Sequence, residues 1–459
     1  MTNTLDANKF LGEEKINKLI LRYSIPCIAS MLISALYNMV DQIFVGQGVG
    51  MLGNGATSVV YPITVIALAL TLLIGNGNAA YFSISQGRKE FETAKKSVGN
   101  ALALIFTVSI TLVLIFSIFR EQILYLFGAT EDNISYARDY YDIIIIGIPF
   151  FMIDNMLNSI IRADGSPKFA MIATFTGCIL NIILDPIAIF VLGLGMKGAA
   201  LATIIGQFVA ACIAFCYLFR TKSFKLDKNS FKLELKIIKK ILAMGLSSLF
   251  TQLSIVLLMA VMNNTLRTYG ALSKYGSDIP IAVIGVVMKV FMLITSMAIG
   301  FSIGLQPIVG YNKGAGNKER VREIFRKMLF IETSIGVVAL LLFQIFPVQI
   351  VSLFGSGDAL YTEFATLAMR IHMGGVTLFC IQRGCAIFMQ SLGKPMLSAF
   401  TTFMRELLLN IPLIVLMASI FGVTGTLFAA PIADVISFTV TIIISFKVVK
   451  NFTKIEVKG

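Results

Sequence analysis

The sequence predicts an all-α polytopic membrane protein of twelve transmembrane helices, built as two parallel-repeat six-helix copies, and three observations carry that prediction. Mean hydropathy is +0.85, with 57% hydrophobic and 14% charged residues, which is not the composition of a soluble globular chain. Apolar runs long enough to cross a hydrocarbon core of roughly 30 Å recur along the chain. Finally, the chain is written twice. A slide of 227 or 228 residues lays Leu126-Phe127-Gly128 on Leu353-Phe354-Gly355, Gly147 on Gly375 and Gly165-Ser166-Pro167 on Gly393-Lys394-Pro395. The same slide lays Gly195 and Gly198 on Gly422 and Gly425, yet it puts Asp185 opposite Leu413.

The expected spans are 17–44, 56–84, 97–119, 139–161, 169–193, 198–219, 240–266, 280–311, 328–346, 363–390, 396–420 and 425–446. Helices and closed barrels alone satisfy their backbone in lipid, and the ten-residue alternation of a barrel is missing. Residues 1–18 are polar and mixed in charge, so the first span is read as retained structure rather than a cleaved signal. Pro26 should kink span 1 and make it a moving part, a conformational hinge. The net charge of +13 does not mark a nucleic-acid surface. Of 38 Lys and Arg, 29 fall at the amino-terminal end and beside the even-numbered loops, five in the odd loops and four inside spans. That is the positive-inside pattern with both termini cytoplasmic.

The long polar connection, 221–240, carries Lys222, Lys225, Lys228, Lys232, Lys236, Lys239 and Lys240. It divides the chain into an amino-terminal lobe, 1–220, a cytoplasmic linker, 221–240, and a carboxy-terminal lobe, 241–459. Six spans per copy give both copies one orientation, related by an axis along the membrane normal, with a cavity between them as the natural path. Each copy carries a glycine-bearing basic turn after its second span, Gly87-Arg88-Lys89-Glu90 and Gly310-Tyr311-Asn312-Lys313-Gly314-Ala315-Gly316. Neither is a G-x-x-x-x-G-K-[S/T] phosphate loop, which argues against direct use of ATP. The six cysteines lie in expected helices as small apolar packing residues, and Cys212 with Cys216 lacks the partners of a metal site.

An ionisable side chain in hydrocarbon costs at least roughly 2.5–3.5 kcal/mol, so each needs a reason. The candidates are Asp41, Asp154, Asp185, Lys289, Glu332, Arg370, His372, Arg383, Arg405, Glu406 and Asp434. Asp185 leads. Asn181 sits one turn before it on the same face, and Pro186 loosens the helix beside it. A buried carboxylate such as Asp185 can take a proton, or with oxygen neighbours a sodium ion. Asp41 ends span 1 near the expected outer mouth, with Tyr37 and Asn38 one turn below. In span 4, Asp154 and Asn158 are spaced to pair at i, i+4, beside Asn155. The bland alternative for each is a hydrogen bond between helices, worth about 1 kcal/mol or less.

In the second copy, span 7 offers Gln252, Met262, Asn263 and Asn264, and span 10 offers Gln382 and Gln390, all uncharged. Arg370 and His372 are expected to snorkel or pair locally at interfacial depth. Arg405 and Glu406 are adjacent, hence expected on different sides of span 11 and poorly placed to pair. Asp434 and Lys289 are read as mutual or cavity charges. Tyr37, Asp154, Gln252, Met262, Met288 and Gln382 are candidate cavity residues, within a chain of 21 Met, 36 Phe and no Trp whose flexible Met suits varied ligands.

Tyr37-Asn38 with Asp41, the turn Arg162-Ala163-Asp164-Gly165-Ser166-Pro167-Lys168, Asn181-Ile182-Ile183-Leu184-Asp185-Pro186, and Gly310 to Asn317 together resemble the multidrug and toxic compound extrusion (MATE) family, in its bacterial branch. The resemblance runs from about residue 15 to 450. It implies a V-shaped pair of six-helix lobes exporting lipophilic, often cationic drugs against a cation. It also implies a first-lobe cation site on Asp41, Asn181, Asp185 and Asn155 or Asn158. One branch of the family places carboxylates in spans 7 and 10, where this chain has Gln252 and Gln382.

The expectation is therefore a secondary antiporter working by alternating access, with H+ or Na+ as coupling ion and no cofactor. Its partners would be lipophilic cations and membrane lipid, not nucleic acid, and it would act as a monomer. The rival reading is a flippase for a lipid-linked or polyanionic substrate, whose cationic cavity would have to come from Lys289, Arg383 and Arg405. A membrane enzyme is disfavoured, since no nucleophile–base pair or metal-ligand cluster is evident in the sequence.

Overall fold

A computed structural model describes residues 8–276, 278–352 and 359–454. Twelve long helices run through these residues. Those of the first copy are α1 (Ile16–Gly48), α2 (Met51–Gly87), α3 (Phe91–Ile118), α4 (Ile134–Ala163), α5 (Pro167–Pro186, running on as a π-helical turn Ile187–Val191) and α6 (Gly195–Cys216). Those of the second are α7 (Leu235–Ala271), α8 (Asp278–Gly314), α9 (Lys318–Ile345), α10 (Ala359–His372 and Val376–Ser391 around a 3-10 turn), α11 and α12 (Thr426–Lys454). In α11, Pro395–Phe403 and Ile411–Phe421 flank a π-helical turn, Met404–Asn410. By continuity there are eleven apolar segments among the described residues, because α11 and α12 merge into one stretch of 58 residues. At about 1.5 Å per residue that stretch is far longer than one crossing needs. It reverses at Gly422, whose φ of +66° is open to glycine at little strain.

The duplication reappears in the backbone. Gly165 and Gly393 hold φ of +86° and +71°, and Gly195 and Gly422 hold +54° and +66°. Pro167 and Pro395 each open the following helix, where a missing N–H has no intrahelical partner to lose. The Leu353-Phe354-Gly355 half of one repeat pair lies outside the described residues. Of the cysteines, Cys212 and Cys216 sit exposed on the outer face of α6 and do not pack inside, a correction to the sequence reading.

Each copy packs around its own core. In the first this includes Ile63, Val98, Tyr141, Met152 and Met156. In the second it includes Val287, Phe364, Ala368 and Leu427. A third core, at the lysine- and arginine-rich end, draws on both copies: Leu11, Leu19 and Tyr23 from one, Phe301, Ile308 and Phe325 from the other. The lobes meet through α2 against α7, α1 against α8 and α2 against α8. The seam is made of close backbone approaches. A Cβ on Gly245 would collide with the Leu73 carbonyl, and one on Gly314 with the Ile84 carbonyl. Hydrogen bonds crossing it among the described residues also lie in this basic half: Ser24 Oγ to Phe301 O (3.2 Å), Asn76 Nδ2 to Ser248 Oγ (3.2 Å) and Gln306 Nε2 to Asn76 O (3.3 Å). Towards the other end, Leu36, Ile43 and Leu52 on one lobe and Leu253, Leu257 and Met292 on the other are exposed. The two lobes thus form a V, joined at the basic end.

Residues 220–234 do not hang free between the lobes. The buried Asp164 carboxylate accepts from Tyr217 Oη (2.7 Å), the backbone N–H of Lys222 (2.8 Å) and that of Ser223 (3.0 Å), and also from the Ser223 hydroxyl. Asn100 holds Lys232 O (3.0 Å) and the Glu234 N–H (2.8 Å). Lys95 pairs with Asp227, and Lys96 with Glu234. Ser230 and Lys95 together hold the Asp227 carboxyl down to about 2.

Candidate functional site

In the first lobe the buried polar groups converge on α1 and α5. Asp185 is 0% exposed and Asn181 2%, one turn apart on the inner face of α5. Asn181 Nδ2 donates to Asp185 Oδ1 (3.3 Å) and reaches Thr203 Oγ1 on α6 at the same distance. The Asp41 carboxyl, from α1, comes within hydrogen-bonding reach of Asp185. Tyr37 and Tyr140 stand near enough to both acids to feel their charge, and Tyr140 also lies near Thr203. Just past Asp185, Pro186 and the wider π-helical turn interrupt the regular ladder of α5.

The electrostatics are unbalanced in a specific way. Asp41 Oδ1, Asp185 Oδ2 and Asn181 Oδ1 are all buried without a hydrogen-bond donor. Native interiors satisfy such atoms, and each one left bare in low dielectric is costly. Two carboxyls so close together, with oxygen acceptors around them and no basic side chain bonded to them among the described residues, are an arrangement that could hold a cation. The donor set is all oxygen, which suits a proton or a hard ion such as sodium and does not suit a thiophilic metal. No group of three or more His, Cys, Asp or Glu with metal-ligand geometry occurs among the described residues.

The other first-lobe candidates are placed separately. Asn158 Nδ2 donates to Asp154 Oδ1 one turn away on α4 (2.9 Å), while Asn158 Oδ1 is buried without a donor. Asn155 turns its Nδ2 to the Phe151 carbonyl of its own helix (2.9 Å). Pro26 lies inside α1 at the seam, and Ser30 Oγ donates to its carbonyl (2.9 Å). Sequence reasoning missed Tyr140 and Thr203. Tyr140 sits in the first turns of α4 among other polar residues, and Thr203 is an isolated hydroxyl in α6, so no local pattern marks either.

The second lobe corrects several expectations. Its three expected intramembrane carboxylates are buried, with Glu332, Glu406 and Asp434 0%, 5% and 3% exposed. Arg405 and Glu406 pair despite being adjacent, with Arg405 Nη1 at 2.7 Å from Glu406 Oε1. The reason is the π-helical turn they occupy, whose wider winding lets two long neighbouring side chains reach one interior. Arg405 Nε bonds Asp434 Oδ1 (2.7 Å), so the partner of Asp434 is Arg405 and not Lys289, which is exposed. Arg383 closes the network, with Nη2 on Glu406 (2.9 Å) and Nη1 on Thr251 (2.8 Å), while the Arg405 guanidinium lies 4.4 Å from the Phe379 ring centre. Two cations meet two anions, and the charge sums to zero. Glu332 stands apart, accepting from Ser302 Oγ (2.6 Å).

His372 is 7% exposed, next to Arg405 at the 3-10 break of α10, and so lies deep rather than at an interface. Arg370, two residues earlier, is exposed. Met262 is 3% exposed and packs in the second-lobe core with Met288 against it, so Met262 does not line the space between the lobes. Gln382 is likewise interior, donating to Thr401 O (3.2 Å). Gln252 is half-buried on α7, as is Tyr37 on α1.

The chain was compared with known proteins on this footing. The MatE family model matches residues 26–187 and 248–416, one stretch in each copy and well over half of the chain together. A multidrug export protein MepA of Staphylococcus aureus is 25% identical over 433 residues, 93% of this chain and 92% of its own. The MepA of Staphylococcus saprophyticus is 26% identical over 434 residues, covering 93% of both. Among solved structures, an outward-facing multidrug resistance MATE transporter of the MOP superfamily superposes with a TM-score of 0.90 at 23% identity, covering 99% of each chain. A MOP superfamily transporter from Pyrococcus furiosus, described as having a binding pocket of reversed polarity, gives 0.88 at 24% identity over 97% of this chain and 98% of that one. With the same two-lobed fold and a family match in both copies, the chain belongs to the MatE family.

Proposed function

We propose that this protein exports lipophilic cationic small molecules by alternating access, driven by inward binding of H+ or Na+ at Asp41, Asn181 and Asp185. The observation that carries the proposal is the pair of touching carboxyls whose remaining oxygens lack donors. Relatives named as multidrug export proteins, matching over nearly their whole length, support the substrate class. Basic residues concentrated at one end support both termini being cytoplasmic in a bacterial inner membrane. With that orientation the V opens outward, the state in which external ions would reach the acids. We take 1–220 and 241–459 as the lobes that rock, 221–240 as their connection, Pro26 as the flexing point of α1 and the monomer as the working unit. Asn158 and Asn155 would support the ion site from α4, and Tyr37, Asp154 and Gln252 would face the drug path.

Ion binding must lower drug affinity by the factor through which drug lowers ion affinity. The test is dye efflux from vesicles holding the purified protein, driven separately by a pH gradient and a sodium gradient. One gradient should drive efflux, and Asp185→Asn should abolish it without loss of folded protein. Full ion-driven efflux by that variant would sink the assignment. The flippase reading finds no support in the second lobe, where Arg383 and Arg405 are neutralised by Glu406 and Asp434 instead of free to hold phosphate.

A further inference from the structure

At the basic end of the second lobe, away from the ion site and beside the seam, lies an open pocket of about 450 Å³ between the ends of three helices. Its polar rim includes Lys313 from the last turn of α8, Lys394 just before α11 and Lys447 near the end of α12, and none of its lining residues is acidic. Its floor is apolar, including Leu397, Val448 and Phe452. Lys313 Nζ stands 3.9 Å from the Phe452 ring centre, which fixes one cation over the apolar floor. Lys394 and Lys447 are exposed, and neither bonds an acid among the described residues. The charges facing Lys313 are also cations: Lys394 in its own lobe and Arg88 from the end of α2.

Three convergent cations with no acid bonded to them among the described residues, over an apolar floor at interfacial depth, are complementary to one kind of molecule. It must be anionic at one end, apolar at the other and present where membrane meets water. The volume suits a headgroup with the start of its acyl chains, within the range of small-ligand sites. We propose that this cavity binds the headgroup of an anionic phospholipid of the inner leaflet, the phosphate among Lys313, Lys394 and Lys447 and the chains along Leu397, Val448 and Phe452. Such a lipid would also offset the like charges that Arg88 and Lys313 bring together when the basic end is closed. Assigning the leaflet rests on the orientation proposed above. The binding itself does not, since it is read without gradient, substrate or sidedness.

The test measures binding of short-chain phosphatidylglycerol, phosphatidylcholine and inorganic phosphate to the purified full-length protein in neutral detergent. Each lysine near a membrane surface contributes about five-fold in affinity for anionic lipid. Phosphatidylglycerol should bind more tightly than phosphatidylcholine, about five-fold more weakly to Lys394→Gln or Lys447→Gln, and on the order of a hundred-fold more weakly to the triple variant with Lys313→Gln. The two single variants change exposed side chains and should keep full dye efflux, which guards against loss of folding in the triple. Equal affinity for the two lipids, or an unchanged phosphatidylglycerol affinity in the variants, would overturn the proposal. So would displacement of phosphatidylglycerol by inorganic phosphate at equal concentration, because the apolar floor would then contribute nothing.

Discussion

The two lobes share a backbone plan and treat buried charge in opposite ways. In the first, Asp41 and Asp185 face each other with oxygens left over and no basic side chain seen bonding to either. In the second, Glu406 and Asp434 are bound by Arg405, and Glu406 also by Arg383, at 2.7–2.9 Å. A carboxylate already neutralised by a fixed guanidinium gains little from a visiting ion. One whose partner is another carboxyl gains a great deal. If the first-lobe acids bind the coupling ion as proposed, the contrast separates an exchangeable site from a permanent one on a common scaffold.

The comparison can be broken at several points. Asp185→Asn should have the largest functional effect, removing the ion dependence of drug affinity, a factor of about 5–150. Drug-binding titrations with and without ion read it, and melting should be little changed because the amide still fits beside Asn181. In the second lobe the order reverses. Arg405→Leu leaves Glu406 and Asp434 buried and short of a partner, which should cost about 3–5 kcal/mol and show as lost folded protein in detergent. If Arg405→Leu melted normally but lost ion coupling, the second lobe would be the exchangeable one. Gly245→Val tests the seam that joins the lobes. Its side chain would meet the Leu73 backbone, so the closed basic end should be destabilised by about 1–3 kcal/mol. Distances between spin labels across that end would lengthen, and an unchanged distance would mean the seam yields without opening.

The smallest effect belongs to the connection. Asp227→Asn should leave efflux and melting near neutral pH almost unchanged, since the side chain is exposed and its pairing with Lys95 is solvated. Because the folded carboxyl is held at about 2, below its ordinary range, its contribution is present at neutral pH and fades only as pH falls towards that value. A clear drop in melting temperature at pH 7 would show the connection carrying more than its exposure suggests.

Much of this was legible in the chain. Long apolar runs fixed by bilayer thickness located all twelve spans, although α9 begins at Lys318, ahead of the expected 328, and α12 runs to Lys454, past the expected 446. The helix period placed Asn181 with Asp185 and Asp154 with Asn158, as observed. What escaped was whatever depended on a departure from the regular helix or on a contact far along the chain. Arg405 and Glu406 were read as diverging because an ordinary turn separates neighbours by about 100°, whereas a π-helical turn winds differently. Arg405 with Asp434, and Asn181 with Thr203, join residues on different helices, and no spacing rule reports such a meeting. His372 was read as interfacial because the start of its helix was placed too late.

The strap from residue 220 to 234 changes how the molecule must be pictured mechanically. Its attachment to Asp164, Asn100, Lys95 and Lys96 makes it part of the first lobe's base, so slack in the covalent link ends where α7 begins at Leu235. A tether of many loose residues would let one lobe drift. A joint of one or two residues behaves as a bearing, with α7 as a lever of roughly 55 Å rising from it. If the lobes rock as proposed, small rotations at the basic end are amplified along that lever. The far ends of the helices can sweep wide while the seam residues move little.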